Sequence, residues 1–266
     1  MSAVDYRGQT TLVTGASAGI GVEFARALAE RGSDLVLVAR RRDRLETLAA
    51  ELAGHGVRAT AIPLDLGVPG AGRALAEEVG RRGLGVTGLV NNAGFGTFGP
   101  FHEADPDRLA AQVTLNAVNL VEISRAFVGR LREEGRGVLV NVASVAAYQP
   151  APNLAVYAAT KAFVLSFTEA LWHESRGTGL RVLALSPGAT ETEFFDVLGN
   201  QGADGGFGRQ SPRAVVDTAL RVLDRRTPPP SVVSGRRNRV LSGGSRLLTR
   251  RRAVLVMGSV SGRGSR

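Results

Sequence analysis

A short apolar, β-branched run, Gln9 to Val13, leads at once into Thr14-Gly15-Ala16-Ser17-Ala18-Gly19-Ile20-Gly21, and Ile20 to Glu30 then has helical character. A buried strand that turns through glycines directly into a helix commits the chain to an α/β unit, because the helix must pack back across the sheet to cover the strand. The same turn aims backbone N–H groups and the positive end of a helix at one point, the arrangement that holds a pyrophosphate. Gly15 permits the tight turn, Gly19 lets the backbone approach the phosphates, and Gly21 lets the helix pack close to the strand. A glycine turn by itself is also a simple tight connection, so the rest of the chain decides.

The pattern repeats. Leu35 to Val38 is a second buried strand and Asp43 to Leu52 a helix rich in Leu and Ala, with Arg40-Arg41-Arg42 between them. In a dinucleotide fold the end of this strand meets the adenosine ribose, where an acid would bind the 2′-hydroxyl and Arg would accommodate a 2′-phosphate. No acid is present, so Arg40 and Arg41 point to NADP ahead of NAD, while Arg42 reads as a solvated turn residue. Val57 to Leu64 is a third strand ending at Asp65, which is also placed to cap the helix starting near Pro69. Leu89 and Val90 lead into Asn91-Asn92-Ala93-Gly94, and a long helix is predicted over Pro106 to Arg132 with Asn116 and Asn119 among apolar neighbours. Val138 to Val142 ends at Ser144, at the carboxyl end of a strand where open α/β sheets keep their ligands. Arg181 to Leu185 follows, then a helix at about Pro212 to Asp224 and a short last strand at Ser231 to Ser234. The fold expected is a doubly wound parallel sheet of about seven strands with helices on both faces.

Between the fifth and sixth strands lies Tyr157-Ala158-Ala159-Thr160-Lys161, which contains the only lysine of the chain. Four residues on a helix stack the phenol and the ammonium one turn apart, and an ammonium beside a phenol lowers its pKa toward the range where it trades protons. An isolated pair of this spacing reads better as a surface pair, so the rest of the chain decides here too.

Composition removes several classes of function. There is no Cys, so disulfides and thiolate chemistry are out, which suits a reducing compartment, and a cytoplasmic location is expected. His55, His102 and His173 are scattered without ligand spacing, so no metal site is expected. Met1 to Arg7 lacks a signal-peptide pattern, and the apolar runs are too short to span a bilayer. The formal charge of +9 is uneven: residues 225–266 carry eleven Arg and no acid, leaving −2 for the first 224 residues. Nucleic-acid binding by the whole protein therefore has no electrostatic basis. Residues 1–235 are read as one domain and 236–266 as a basic C-terminal extension, partly disordered from Gly258. Around Leu241, Leu247 and Leu248 that extension either packs beside the site with its arginines solvated or lies on an anionic membrane as a peripheral amphipathic helix.

Together, T-G-A-S-A-G-I-G, N-N-A-G, Asn116, Ser144, Y-x-x-x-K and P-G-A-T-E-T resemble the short-chain dehydrogenase/reductase family in its shorter, NADP-dependent type, over residues 8 to 224. The resemblance implies a single Rossmann-type domain with strand order 3-2-1-4-5-6-7, and an oxidoreductase interconverting a carbonyl compound and a secondary alcohol. It implies Tyr157 as general acid/base, Ser144 as hydrogen-bond donor to the reacting oxygen, Lys161 as the group that lowers the Tyr157 pKa and holds the nicotinamide ribose, and Asn116 as a residue that bends its helix to place a relay water. Gly15, Ser17, Ile20 and Arg40 are expected at the phosphate and adenosine end, Asp65 at the adenine, Asn91, Ala93 and Gly94 along the adenosine-side ribose and backbone, and Pro187, Gly188, Thr190 and Thr192 at the carboxamide. Ser144, Asn116 and Thr192 also read as a strand-end hydroxyl, a buried amide and an N-cap. A lid over Thr192 to Gln210, with Phe194, Phe195 and Phe207, suggests a small apolar carbonyl or alcohol substrate. The resemblance further implies a homodimer or homotetramer through the helices at 106 to 132 and 155 to 176. The alternative is a redox-silent NADP-binding sensor or scaffold on the same fold.

Overall fold

Apolar residues alternate sides along each strand, and both sides are covered. Leu12, Val36, Val38, Leu89 and Leu139 face one layer of helices, while Val13, Leu35, Leu37, Val90 and Val140 face the other, all at most 1% exposed. That two-sided burial is what a parallel sheet requires. The computed structural model describes residues 4–200, 208–244 and 249–261. Its strands are β1 (Thr10–Thr14), β2 (Asp34–Ala39), β3 (Ala59–Pro63), β4 (Gly88–Asn91), β5 (Val138–Val142), β6 (Arg181–Ser186) and β7 (Ser231–Val233). They form one seven-stranded sheet in the order β3-β2-β1-β4-β5-β6-β7, every pair parallel, as the sequence led us to expect.

Helices α1 (Gly19–Ala29), α2 (Arg42–Ala53) and α8 (Pro212–Leu223) cover one face through Phe24, Leu28, Leu45, Leu52, Val215 and Leu220. On the other face α3 (Ala71–Arg81) and α5 (Asn119–Glu134) bring Leu75, Val79, Ile123, Phe127 and Leu131 onto the sheet. α6 (Ala155–Glu174) joins that side through Val164 and Leu165, packed with Leu120, Ala143 and Ala184. Truncating one such fully buried Leu to Ala costs about 2–5 kcal/mol, so these positions specify the layers.

The long helix expected over Pro106 to Arg132 is interrupted. α4 (Pro106–Val113) is capped by Asp105, whose carboxylate accepts from Asp107 N, and a π-helical turn at Thr114–Val118 separates it from α5. A π turn inserts one extra residue and reorients the side chains it carries. Among its described residues the C-terminal extension forms α9 (Arg236–Gly244) and α10 (Arg250–Ser261), so helix continues past Gly258, where disorder was expected, as far as Ser261. Among the described residues of the lid there is one short helix, α7 (Phe194–Leu198); Phe207 lies outside the described residues. No helix among the described residues is long and apolar enough to cross a membrane.

Candidate active site

The β1–α1 turn places Gly15 at φ +68 and Gly19 at φ +54, left-handed conformations that a glycine adopts freely. A Cβ on Gly15 would come within 2.7 Å of Asn92 Nδ2, and one on Gly19 within 2.5 Å of the Thr192 methyl. Gly21 has no room for a Cβ either, because the carbonyl of Gly15 fills that space. The three glycines thus form a cradle that side chains would fill, with Gly21 serving helix packing and lying outside the cavity.

That cradle is one end of a cavity of about 1140 Å³ along the carboxyl ends of the strands. Gly15, Ser17, Gly19, Ile20, Arg40, Arg41 and Asp65 line the first end; Ala93, Gly94, Ser144, Tyr157, Lys161, Pro187, Gly188, Thr190 and Thr192 line the rest. Arg40 is exposed and has no hydrogen bond or ion pair among the described residues, whereas Arg41 donates to Ser17 Oγ at 3.2 Å and to Glu193 at 2.8 Å. Hydrogen bonds from Arg44 and then Arg41 hold the Glu193 carboxyl below the usual carboxylate range. Asp65 turns its carboxylate back to accept from Gly67 N at 2.8 Å.

Asn91 departs from expectation. It is 3% exposed beneath the cavity floor and donates to Asn141 Oδ1 at 2.9 Å and Ser124 Oγ at 3.0 Å, while Asn141 donates to Thr168 Oγ1 at 2.9 Å. Being a strand residue paired with Asn141 across β4 and β5, it points into the layer between sheet and helix. The next residue takes the cavity position: Asn92 donates to Thr14 O at 3.0 Å and fixes the glycine turn.

At the other end Ser144 follows β5, its Oγ accepting from Ala146 N at 3.1 Å, and lines the cavity together with Tyr157, whose half-buried ring lies 5.4 Å from that of Phe194. Lys161 is 4% exposed, donates to Val142 O at 2.7 Å, and stands 5.9 Å from the Tyr157 ring centroid. The expected lowering of the phenol by the ammonium is not what this geometry gives. Burial pushes Tyr157 up to about 12, opposed by the nearby Ser144 hydroxyl, and burial alone pulls Lys161 down to about 8. Burial therefore leaves a phenol that keeps its proton and a lysine that gives one up around pH 8.

Asn116 sits in the π turn, fully buried, and bridges two elements. Its Oδ1 accepts from Phe95 N at 3.1 Å, and its Nδ2 donates to Phe95 O at 2.9 Å and to Thr160 Oγ1 at 3.1 Å. It therefore ties the loop after β4 to α6 one residue before Lys161, outside the cavity lining. Sequence reasoning missed Asn238 on α9, whose amide packs into the space beside Gly188, and the Glu193–Arg44 contact at 2.5 Å. Nothing in their local sequence marks either one. α9 and α10 also contribute Val240, Leu241, Ala253, Val256 and Met257 to the cavity lining. Among the described residues no cluster of three or more His, Asp or Glu is placed to hold a metal.

A family model described as short chain dehydrogenase matches residues 9–203. The chain belongs to the short chain dehydrogenase family. Sulfoacetaldehyde reductase 2 of Chromohalobacter salexigens is 36% identical over 226 residues, 83% of this chain and 89% of that protein. A short chain dehydrogenase of Pseudocercospora fijiensis is 34% identical over 191 residues, and this chain spans 62% of its length. A short-chain dehydrogenase from Sphingobium yanoikuyae, solved in complex with NADPH, matches at a TM-score of 0.77 and 34% identity, over 90% of this chain and 94% of that one. As a member of this family the chain is an oxidoreductase.

Proposed function

We propose that the chain interconverts an apolar ketone or aldehyde and the corresponding alcohol, with NADP(H) as cofactor. The observation that carries the reading is the meeting of Ser144, Tyr157 and Lys161 along one stretch of the cavity that also holds Arg40, which has no hydrogen bond or ion pair among the described residues. The glycine cradle and that arginine fit a dinucleotide with a 2′-phosphate. When bound, the nicotinamide supplies the hydride. Tyr157, which keeps its proton, donates it to the substrate oxygen during reduction, and Ser144 stabilises the charge developing there. Lys161, with its pKa drawn to about 8, re-protonates the phenol, and Asn116 holds the α6 turn that carries it. We assign Ala93 and Gly94 to the cofactor's path, and Pro187, Gly188, Thr190 and Thr192 to the carboxamide end. Gly188 owes its place to Asn238 crowding it.

Phe194 and Leu198 of the lid press on Gly96 beside the Tyr157 ring, and the α9 and α10 residues complete an apolar wall. That lining favours an apolar substrate and makes the C-terminal extension part of the substrate site. A second reading of the extension has one observation in its favour: Leu255 is 63% exposed and flanked by exposed Arg251 and Arg252, a pattern suited to an anionic lipid surface. Pelleting with phosphatidylglycerol vesicles, full chain against a form ending at Gly235, separates the two; equal partitioning removes the membrane. Self-association is proposed through α4 to α6, where Val113, Val118 and Phe163 are 39%, 46% and 46% exposed and Phe163 stacks on Phe167. A cytoplasmic location belongs to the same reading. The function is tested by following NADPH absorbance over a panel of ketones and aldehydes; no turnover of any of them favours the redox-silent alternative.

A further inference from the structure

Glu193 stands one residue before α7, at the base of the lid, yet its carboxylate faces the adenosine end of the cavity. Arg41 Nη1 donates to its Oε2 at 2.8 Å and Arg44 Nη1 to its Oε1 at 2.5 Å. Arg41 is held in turn by Ser17, through Nε to Oγ at 3.2 Å and Nη2 to the backbone carbonyl at 3.2 Å. Both oxygens of a lid carboxylate are therefore occupied by two guanidinium groups, next to Arg40 and at the end of β2. In a doubly wound sheet this is where the adenosine ribose is recognised. A guanidinium fork suits carboxylate and phosphate oxygens alike, so an internal carboxylate and an incoming phosphate draw on the same donors.

We propose that Glu193 is a specificity-determining residue: it occupies Arg41 and Arg44 as an internal anion and limits how strongly the site prefers a 2′-phosphorylated ribose over an unphosphorylated one. The proposal rests on the NADP reading above. Arg40, which Glu193 does not touch, supplies the preference, and Glu193 opposes it. A 2′-phosphate must share Arg41 with the carboxylate or displace it, and meets its negative charge either way. A free 2′-hydroxyl carries no charge and meets no such opposition. Arg41, Arg44 and Glu193 side chains keep 39%, 46% and 44% of their exposure, so water and salt screen the effect and it is modest.

The experiment is calorimetric titration of the full chain, wild type, Glu193→Gln and Glu193→Ala, with adenosine 2′,5′-bisphosphate and with adenosine 5′-monophosphate. The two probes differ only in the 2′-phosphate, and the ratio of their dissociation constants isolates it from any general loosening of the lid. The bisphosphate preference should rise about two- to fivefold in both variants at low ionic strength, and the gain should shrink in ~0.5 M salt. A preference that stays the same or falls in both variants overturns the proposal, and so does an equal weakening of both probes, which would make Glu193 a lid fastener only. The NADP reading fails separately: it is overturned if the wild type binds the two probes equally, and a preference appearing in the variants from that baseline would still support the role of Glu193.

Discussion

Lys161 makes the pH dependence of the reaction calculable. Burial lowers its pKa to about 8, so it is mostly charged at pH 7 and mostly neutral at pH 9. If it re-protonates Tyr157 during carbonyl reduction, the competent fraction falls from about nine tenths to about one tenth across that window, and kcat/KM for reduction falls about tenfold. The sign follows from the direction of the shift: a lowered value means the proton is lost earlier, so the reductive direction weakens as pH rises. Tyr157, pushed up to about 12, stays protonated throughout and contributes no limb in this window. Lys161→Arg replaces the titrating group by one that remains charged to at least pH ~12. Its absolute turnover should be lower, because a planar fork does not fit the space of a compact ammonium donating to Val142 O at 2.7 Å. Its profile should nonetheless be flat from pH 7 to 9. Stopped-flow measurement of NADPH oxidation at saturating cofactor gives both profiles. A flat wild-type profile, or the same falling limb in Lys161→Arg, would refute the assignment.

Three further outcomes are expected. Arg40→Ser should lower the affinity for NADPH at least about tenfold and leave that for NADH within about twofold, measured by fluorescence titration, since a lost charge-assisted contact is worth roughly 1.5–3 kcal/mol. Asn91→Ala deprives Asn141 and Ser124 of their donor and should cost about 1–3 kcal/mol, read as a fall in Tm of several degrees, with NADPH affinity unchanged; lost binding without lost stability would restore Asn91 to the cofactor site. Gly188→Ala drives a methyl into the Asn238 amide and should raise KM at least severalfold, and Asn238→Ala added to it should recover much of the loss in the same assay.

The fold was legible in the sequence because buried parallel strands are apolar on both faces and the turns between them carry glycine and small polar residues. Where reading failed, a neighbour far along the chain decided. Asn91 and Asn92 are chemically identical, and only the strand register sends one into the core and the other to the cavity. Tyr157 and Lys161 are indeed one turn apart, yet spacing alone cannot report that burial raises the pKa of the one and lowers that of the other. The bend expected at Asn116 within the helix over Pro106 to Arg132 takes the form of a π turn, in which Asn116 bonds Phe95 and Thr160 at once, partners that spacing alone does not name. Neither Asn238 nor Glu193 belongs to a motif, because each acts through a residue from a distant part of the chain.

The most direct test of the account remains the phenol itself. Tyr157→Phe keeps the ring against Phe194 and removes only the hydroxyl, in the cavity that Ser144 also lines. With NADPH and whichever ketone or aldehyde the screen identifies, its kcat should fall at least about a hundredfold, the scale of a lost general acid, while its Kd for NADPH changes little. Turnover at the wild-type rate in Tyr157→Phe would contradict the mechanism.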